Sequence, residues 1–438
     1  MSVDDAYANL LLPARLRRAR LSGPDAGFAT ELVYGTLRRR GLYDAVIARA
    51  SGRQLTAIDA LALDVLRLGT HQLLGMQTPA HAAVGESVAL AKRAGATRAS
   101  GFINAVLRRV SERSEAEWIT QLEQGAVDEH HRVGIAHAHP GWVVRVLHEA
   151  LAREGRTDEL EQVLEADNVP PRVSLVALPG LAAVSEAGEA GSVSPLGAVA
   201  PLGDPATISA VAEGRVRVQD EGSQLAALAL SRVEPVAAGE HWLDLCAGPG
   251  GKAALLAAEA AVAGAHLTAN EISPARAGLV SRALAAVAPD VEVRTGDGRD
   301  LGTAEPGRYD RVLLDAPCSG LGALRRRPEA RWRKQPSDVP ELAALQRELL
   351  HSALLAVRPG GIVAYVTCSP HPTETTAVVD ALLADPPVPV TPLDTREVLE
   401  RIAVRPLELG ELPHGAAQLW PHRHGTDAMF VQLLRRTA

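Results

Sequence analysis

The 438-residue sequence is poor in cysteine, lysine and aromatic residues, and it lacks a long apolar run. Its three cysteines are too few for a disulfide framework in a chain of this length. Aromatic residues make up only 3%, which argues against a broad platform for stacking nucleic-acid bases. The net charge of -7 excludes an overall basic footprint, so any surface that binds nucleic acid has to be local.

The N-terminus and the most apolar stretch give no sign of export or of membrane insertion. The first five residues, Met1 to Asp5, are acidic and include no apolar segment, so we expect no signal peptide. The stretch from residue 253 to residue 269 is interrupted by Glu259 and His266 and is too short to cross a bilayer. We therefore expect a cytoplasmic protein that has no membrane partner.

The length predicts two or three domains, and the first of them is all-helical. In residues 1–130 apolar side chains recur at helical spacing, as Val84, Val88 and Ala91 do. Residues 131–238 read as a small α+β module, with a strand at 215–219 that alternates cleanly and a loop at 179–205 that is rich in glycine and proline.

Residues 239–438 alternate between strand and helix patterns. Five strands are predicted in chain order, at 242–245, 266–269, 291–294, 312–314 and 362–366, with a late strand at 428–434. Alternation of this kind predicts a mostly parallel, doubly wound sheet with helices on both faces, a Rossmann-like α/β fold.

A glycine-rich loop follows the first of these strands, as in nucleotide-binding folds. Glycines allow a ligand to approach the backbone closely, and an acidic residue at the end of the next strand, Glu271, can accept the hydroxyls of a ribose. Asp297 follows the third strand, where it can accept from an adenine amino group. Acidic groups at three consecutive strand ends suit S-adenosylmethionine, which is cationic and has no pyrophosphate. The predicted loop ligands are Cys246, Ala247, Gly248, Pro249, Gly250, Gly251 and Lys252.

Two of the three cysteines follow neighbouring strands of the predicted sheet. Asp315 and Cys318 come after the fourth strand, and Cys368 comes directly after the fifth. In sheets of this type the first, fourth and fifth strands are neighbours, and ligands bind outside their carboxyl ends. We therefore expect both thiols and the carboxylate of Asp315 in one cleft beside the cofactor.

Methylation of a pyrimidine at C5 needs this set of groups. The carbon is a poor nucleophile until a thiolate adds at C6 and turns the ring into an enamine. A carboxyl group at ring N3 can stabilise the charge that develops. A second group then has to help remove the C5 proton and release the first thiol. Between the two cysteines lies the densest basic run of the chain, 325–334, which predicts a local phosphate-binding surface.

The motifs quoted above resemble those of the RsmB/Sun/Nop family of RNA (cytosine-C5)-methyltransferases. The segments that carry the resemblance to the family and its bacterial RsmB branch are 219–224, 244–252, 315–319, 326–332 and 365–369. Residues 81–88 and 103–108 look like the NusB-like helical domain that is fused to that branch. The resemblance therefore covers nearly the whole chain.

The resemblance implies a role for each candidate residue. Cys368 would be the nucleophile and Cys318 would assist product release, while residues 246–252, Glu271, Asp297 and Asp315 would line the cofactor and base site. It also implies a NusB-like RNA-binding domain at 1–130, a connecting module at 131–238 and a methyltransferase domain at 239–438. The expected partner is 16S ribosomal RNA, either naked or within a small-subunit assembly intermediate. We expect a monomer and no metal.

Three positions depart from the family pattern, and three other readings of the chain stay open. Thr373-Glu374-Thr375 stands in place of Glu-Glu-Asn, Gly248 in place of alanine, and Ala428-Met429 in place of Gly-Phe. The same chemistry could act on transfer RNA or DNA, or the chain could be a non-catalytic RNA-binding or ribosome-assembly protein. A nicotinamide oxidoreductase would fit the glycine loop but would leave both cysteine motifs unexplained.

Overall fold

The computed structural model describes residues 8–438, which form two compact units. Unit 1 comprises the described residues up to Arg145, Leu160–Val169 and Leu324–Arg333. Unit 2 comprises Val146–Glu159, Pro170–Ala323 and Lys334–Ala438. This division does not mark boundaries at residues 130 and 238, so the division into three domains stays a prediction.

The α-helices account for most of unit 1 and flank the sheets of unit 2. In chain order they are α1 Ala8–Ala19, α2 Gly23–Arg38, α3 Arg40–Ser51, α4 Ala60–Thr70, α5 Ala80–Arg93, α6 Ser100–Val110, α7 Glu115–Glu123, α8 Glu129–Ala136, α9 Gly141–Arg153, α10 Leu160–Asn168, α11 Val184–Ala187, α12 Ser209–Ala212, α13 Glu221–Ser231, α14 Gly251–Ala263, α15 Pro274–Leu284, α16 Gly298–Ala304, α17 Ala330–Arg333, α18 Val339–Ala356, α19 Thr376–Ala384, α20 Thr395–Ile402 and α21 Pro421–His424.

The strands all belong to unit 2. They are β1 Ser174–Ala177, β2 Glu189–Ala190, β3 Gly197–Val199, β4 Val216–Val218, β5 His241–Asp244, β6 His266–Glu271, β7 Glu292–Thr295, β8 Tyr309–Asp315, β9 Val357–Thr367, β10 Val390–Pro392, β11 Ala417–Gln418 and β12 Phe430–Arg436.

Unit 1 is helical in its described residues, as the periodicity predicted. Its core is built from apolar faces such as that of α6, where Ile103, Val106 and Leu107 are buried. The start of α7 is fixed by a capping box, in which the Ser114 hydroxyl accepts from the Glu117 backbone N–H and the Glu117 carboxylate accepts from the Ser114 backbone N–H.

Part of the basic run between the two cysteines is packed into unit 1. The side chain of Arg331 is fully buried and donates to the carbonyl oxygens of Arg38, Ala138 and Asp167 and to Asn168 Oδ1. Burial lowers the pKa of its guanidinium to about 10. A side chain without exposed surface cannot contact RNA phosphates, so the predicted phosphate-binding role is wrong for Arg331.

Unit 2 contains a small antiparallel sheet ordered β2-β3-β1-β4 and a larger, mostly parallel sheet. The strand predicted at 215–219 is β4. Strands β2 and β3 lie in the segment 179–205, for which the composition predicted only loop. They are two and three residues long, too short to produce an alternating pattern.

The larger sheet has the order β10-β12-β9-β8-β5-β6-β7 and follows the predicted Rossmann-like topology. The pairs β5–β6, β5–β8, β6–β7 and β8–β9 are parallel, whereas β12 pairs with β9, and β10 with β12, in antiparallel orientation. Successive residues of β8 are buried on opposite faces, Leu313 in one core and Val312 and Leu314 in the other. Because both faces are covered, these strands are continuous apolar runs rather than alternating ones. Among the described residues, no helix is long and apolar enough to span a membrane.

Candidate active site

The carboxyl ends of β5, β8 and β9 meet at one edge of the larger sheet. Asp315, the last residue of β8, is in register with Val366 of β9, and Asp244, the last residue of β5, is in register with Leu313 of β8. Side chains just beyond these ends therefore converge, as the topology predicted.

The two cysteines that follow β8 and β9 lie side by side. Cys318 Sγ is 3.4 Å from Cys368 Sγ, within hydrogen-bond distance for sulfur, and neither cysteine forms a disulfide. The hydrogen bond with Cys368 and then burial raise the pKa of Cys318 well above its usual value. Either sulfur can be the donor of this hydrogen bond, and the raised pKa of Cys318 favours its protonated form.

A buried ion pair lies beside the thiols. Lys252 Nζ is 2.8 Å from Asp315 Oδ2, and the Lys252 side chain is largely enclosed. Burial by itself would lower the pKa of Lys252, but Asp315 and the charge of Cys368 raise it above its usual value. The ammonium group is thus a fixed positive charge near the Cys368 sulfur, the kind of environment that favours a thiolate.

One carboxylate, that of Glu374, ties together the residues that follow the two cysteines. Its Oε1 accepts from the Ser319 backbone N–H at 2.7 Å, and its Oε2 accepts from the Ser319 hydroxyl at 2.5 Å and the Ser369 hydroxyl at 2.7 Å. Gln346 Nε2 donates to Oε1 at 3.3 Å. The Tyr365 hydroxyl donates to the backbone carbonyl of Glu374 at 2.6 Å. The whole side chain of Glu374 is buried.

The loop after Cys318 also touches the Cys368 backbone directly, and this contact requires glycine. The N–H of Gly322 donates to the carbonyl of Cys368 at 2.9 Å, and the carbonyl of Gly322 accepts from the N–H of Ala428 at 2.8 Å. A Cβ at position 322 would lie 2.0 Å from the Ala428 carbonyl oxygen and 2.8 Å from that of Cys368. Ala428, one of the positions that depart from the family pattern, therefore supports the site through its backbone.

The glycine-rich loop places its backbone against the acidic residue that ends β6. Gly248 N–H donates to Glu271 Oε2 at 3.0 Å, and Glu271 Oε1 accepts from the Ser273 N–H at 3.0 Å. A Cβ at Gly248 would lie 2.2 Å from Glu271 Oε2, so an alanine there would require the carboxylate to rotate. Gly250 has a φ of +107°, a left-handed conformation that favours glycine.

Two further predicted cofactor ligands, Asp297 and Cys246, differ in their surroundings, because Asp297 caps a helix and Cys246 is buried in the loop. Asp297 caps α16 by accepting from the Arg299 N–H at 3.0 Å, and its hydrogen bonds with the Arg299 side chain lower its pKa. Cys246 lies in the loop with a pKa raised by burial, as expected for a small enclosed residue rather than a reactive thiol.

Two buried polar side chains next to the loop were missed by the sequence analysis as cofactor ligands. Neither carboxylate oxygen of Asp244, and neither amide atom of Gln219, has a hydrogen-bond partner of ordinary geometry among the described residues. Burial and then the nearby charge of Asp315 raise the pKa of Asp244 to about 8. A bound cationic group would favour the ionised carboxylate, so the site fits the ammonium and sulfonium charges of S-adenosylmethionine. Asp244 is the acidic group at the first of the three strand ends that favoured S-adenosylmethionine, although it was not among the ligands predicted by number.

The structure therefore brings Cys318, Cys368, Asp315 and Lys252 together. Lys252, predicted as a cofactor ligand, is in direct contact with Asp315, another residue of the predicted site. In the sequence, Glu374 stands out only as part of the segment 373–375 that departs from the family pattern, where it is the one acidic residue. Among residues 8–438 no group of histidine, cysteine or acidic side chains is arranged to hold a metal ion.

We expect Glu271→Ala to weaken binding of S-adenosylmethionine. The substitution removes the acceptor placed for the ribose and the support of the Gly248 N–H, and hydrogen bonds to charged groups contribute about 1.5–3 kcal/mol each. Titration calorimetry should give a Kd raised about 10- to 100-fold. The matched control is Glu292→Ala, on the exposed part of β7, which should bind as the unchanged protein does. An unchanged Kd for Glu271→Ala would contradict this assignment.

Comparisons with known proteins match one family to the N-terminal part of the chain and another to the C-terminal part. The family described as 16S rRNA methyltransferase RsmB/F matches residues 232–435, and the NusB family matches residues 1–112. A Mycobacterium tuberculosis protein named as a methyltransferase is 49% identical, with 100% of this chain and 94% of that protein covered. The ribosomal RNA small subunit methyltransferase B of Pseudomonas putida is 34% identical over 87% of this chain and 86% of its own length.

A solved structure shares the fold over almost the whole chain. The crystal structure of PH0851 superposes with a TM-score of 0.78 at 24% identity, and the match covers 96% of this chain and 93% of that one. A methyltransferase homologue from Pyrococcus horikoshii matches with a TM-score of 0.51 at 22% identity, over 66% of this chain and 98% of its own. At this identity the likeness concerns the fold.

Proposed function

The chain belongs to the 16S rRNA methyltransferase RsmB/F family, and on that premise we propose that it methylates C5 of a cytosine in 16S ribosomal RNA. Its cofactor is S-adenosylmethionine. The observation that carries the proposal is the pair of cysteine sulfurs, not joined by a disulfide and 3.4 Å apart, beside the ion pair of Lys252 and Asp315. Methylation of an amine or a hydroxyl requires neither thiol, whereas methylation at C5 requires a nucleophile and a group that assists its release.

The residues that would hold the cofactor are those of the loop 246–252 together with Asp244, Glu271 and Asp297. S-adenosylmethionine, when bound, supplies an electrophilic methyl group. The carboxylate of Glu271 would accept from the ribose hydroxyls, that of Asp297 would accept from the adenine amino group, and the buried carboxylate of Asp244 would pair with the ammonium group.

Cys368 starts the reaction by adding to the base. Its thiolate, favoured by the nearby Lys252 ammonium, forms a bond to C6 of the cytosine, and the electrons of the C5–C6 double bond become available at C5. Negative charge develops towards N3 at the same time. A proton taken up from solvent at N3 neutralises that charge, and the resulting N3–H donates to the Asp315 carboxylate, whose own charge is balanced by the Lys252 ammonium 2.8 Å away. C5 then takes the methyl group, and the N3 proton returns to solvent once C5 carries it.

Cys318 completes the reaction by elimination. Once the Cys368 sulfur is bonded to C6, it is no longer the negatively charged partner that raises the pKa of Cys318, so Cys318 can give its proton to solvent. The Cys318 thiolate takes the C5 proton, the electrons of that C–H bond restore the C5–C6 double bond, and the bond from C6 to Cys368 breaks. Cys368 leaves as a thiolate, ready for the next base.

Membership of this family also suggests a role for each of the three predicted domains. We propose that residues 1–130 contribute a NusB-like surface for RNA or for a protein of the assembling subunit, that 131–238 connect the domains, and that 239–438 carry the chemistry. The target cytosine would be splayed out of its stack, because a stacked base does not expose both faces of its ring. A ribosomal RNA substrate implies a cytoplasmic location, and the enzyme would act as a monomer.

Nucleoside analysis of methylated RNA tests this proposal. The protein is incubated with S-adenosylmethionine and small-subunit ribosomal RNA that lacks the modification, with transfer RNA as a parallel substrate. The expected product is 5-methylcytidine in the ribosomal RNA, at one position in bisulfite sequencing. A methylated nucleoside other than 5-methylcytidine would contradict the chemistry, and methylation of transfer RNA alone would contradict the substrate.

A further inference from the structure

Glu374 is a buried acidic residue to which the proposed reaction assigns no part. It ends a short turn, Pro372–Glu374, that follows β9, and its side chain has no exposed surface. Burial of a carboxylate is unfavourable unless hydrogen bonds replace its water. Four protein groups donate hydrogen bonds to the Glu374 carboxylate in place of water, and they include the hydroxyls of Ser319 and Ser369.

The positions of these two serines connect the carboxylate to the chemistry. Ser319 directly follows Cys318, and Ser369 directly follows Cys368. The two hydroxyl oxygens are 3.0 Å apart and share Glu374 Oε2. A single carboxylate group thus fixes the separation of two loops that belong to different strands.

The two thiols do not depend equally on this carboxylate. Cys368 comes directly after β9, whose last residues pair with β8 on one side and β12 on the other. Cys318 lies three residues beyond the end of β8, in a loop. Glu374 holds the residue after Cys318 by two hydrogen bonds and the residue after Cys368 by one. Loss of the carboxylate should therefore displace the Cys318 thiol more than the Cys368 thiol.

We propose that Glu374 is a positioning residue that holds Cys318 against Cys368 for the elimination step, an inference that rests on the proposed function. The donors to the Glu374 carboxylate belong to Ser319, Ser369 and Gln346, so Glu374 acts on Cys318 through Ser319. The step it serves is the transfer of the C5 proton to the Cys318 thiolate, with return of the C–H electrons to the ring and departure of Cys368. Addition of Cys368 to C6 does not require Cys318 in place.

Two substitutions of Glu374 separate positioning from charge. Glu374→Ala removes all four acceptor contacts, and a displacement of about 1 Å at a reacting group can cost about 100-fold in rate. We expect turnover to fall about 10- to 100-fold, while the fraction of enzyme found as a denaturation-stable RNA adduct rises towards that of Cys318→Ala. Glu374→Gln keeps the shape, and its amide can accept from the Ser319 N–H and donate to the two hydroxyls. It should restore most of the turnover and remove the excess adduct.

Three further variants serve as controls for the Glu374 substitutions. Glu341→Gln, an exposed acidic residue at the start of α18, should behave as the unchanged protein. If Glu374→Ala does not fold, Ser319→Ala replaces it. This variant loses one of the four hydrogen bonds to the Glu374 carboxylate and the contact between the two serine hydroxyls, and we expect a smaller rise in adduct. Adding Glu374→Ala to Cys318→Ala should not slow release further, because both changes act on the same step.

The outcomes distinguish this inference from the proposed function. If Cys318→Ala itself gives no adduct, the proposed function fails. If Cys318→Ala gives adduct while Glu374→Ala loses turnover without accumulating any, Glu374 only supports the fold and the positioning role is wrong. If Glu374→Gln is as slow as Glu374→Ala, the negative charge matters rather than the placement of the Cys318 loop, which also overturns the inference.

Discussion

Replacing Cys368 by alanine is expected to abolish methyl transfer to RNA. Without the Cys368 sulfur nothing adds to C6, and C5 of an unmodified cytosine is too weak a nucleophile to take the methyl group. Loss of a covalent nucleophile of this kind costs about 10,000-fold or more in kcat. The measurement is incorporation of a labelled methyl group from S-adenosylmethionine into ribosomal RNA at saturating cofactor.

Cys368→Ser is the matched variant for this experiment. Serine has nearly the same size as cysteine, but its hydroxyl is not ionised at neutral pH, so we expect no recovery of activity. Both variants should still bind S-adenosylmethionine with an unchanged Kd, because the predicted ligands lie on other loops. Methyl transfer by Cys368→Ala at more than about one hundredth of the normal rate would contradict a nucleophilic role for Cys368.

Replacing Cys318 by alanine is expected to trap the RNA on the enzyme. Addition and methyl transfer remain possible, but the group that takes the C5 proton is missing, and a positioned acid or base contributes about 100- to 10,000-fold to such a step. The methylated base should therefore stay bonded to Cys368. A denaturing gel of enzyme mixed with RNA and cofactor should show a slower band that contains both protein and RNA.

The double variant Cys318→Ala/Cys368→Ala is the control for this adduct. It lacks the sulfur that bonds to C6 and should give no slower band, although it retains the same loops and the same cofactor site. Normal turnover by Cys318→Ala, or a band that persists in the double variant, would contradict the division of roles between the two thiols.

Much of this site could be predicted from the sequence, because its residues directly follow the carboxyl ends of predicted strands. The apolar runs of β5, β8 and β9 are local features of the sequence, and the order of strands in a doubly wound sheet follows from the handedness of its crossovers. Together these place Asp315, Cys318 and Cys368 at one edge without knowledge of any contact. The structure confirms that arrangement.

The groups that support the thiols could not be predicted in the same way. Glu374 acquires its hydrogen bonds from Ser319, which lies 55 residues earlier in the chain, and from Gln346, which lies 28 residues earlier. Arg331 lies in the most basic run of the sequence, yet carbonyl groups from three distant segments bury it. Partners of this kind depend on tertiary contacts between remote residues, which no local pattern records.

Mass spectrometry of the trapped adduct tests the central claim most directly. Cys318→Ala is mixed with ribosomal RNA and S-adenosylmethionine, denatured, and digested with protease and nuclease, and the peptide that carries a nucleotide is sequenced. The mechanism predicts a cytidine with one added methyl group, bonded to Cys368. A nucleotide bonded to any other residue, or bonded to Cys368 without the added methyl group, would contradict it.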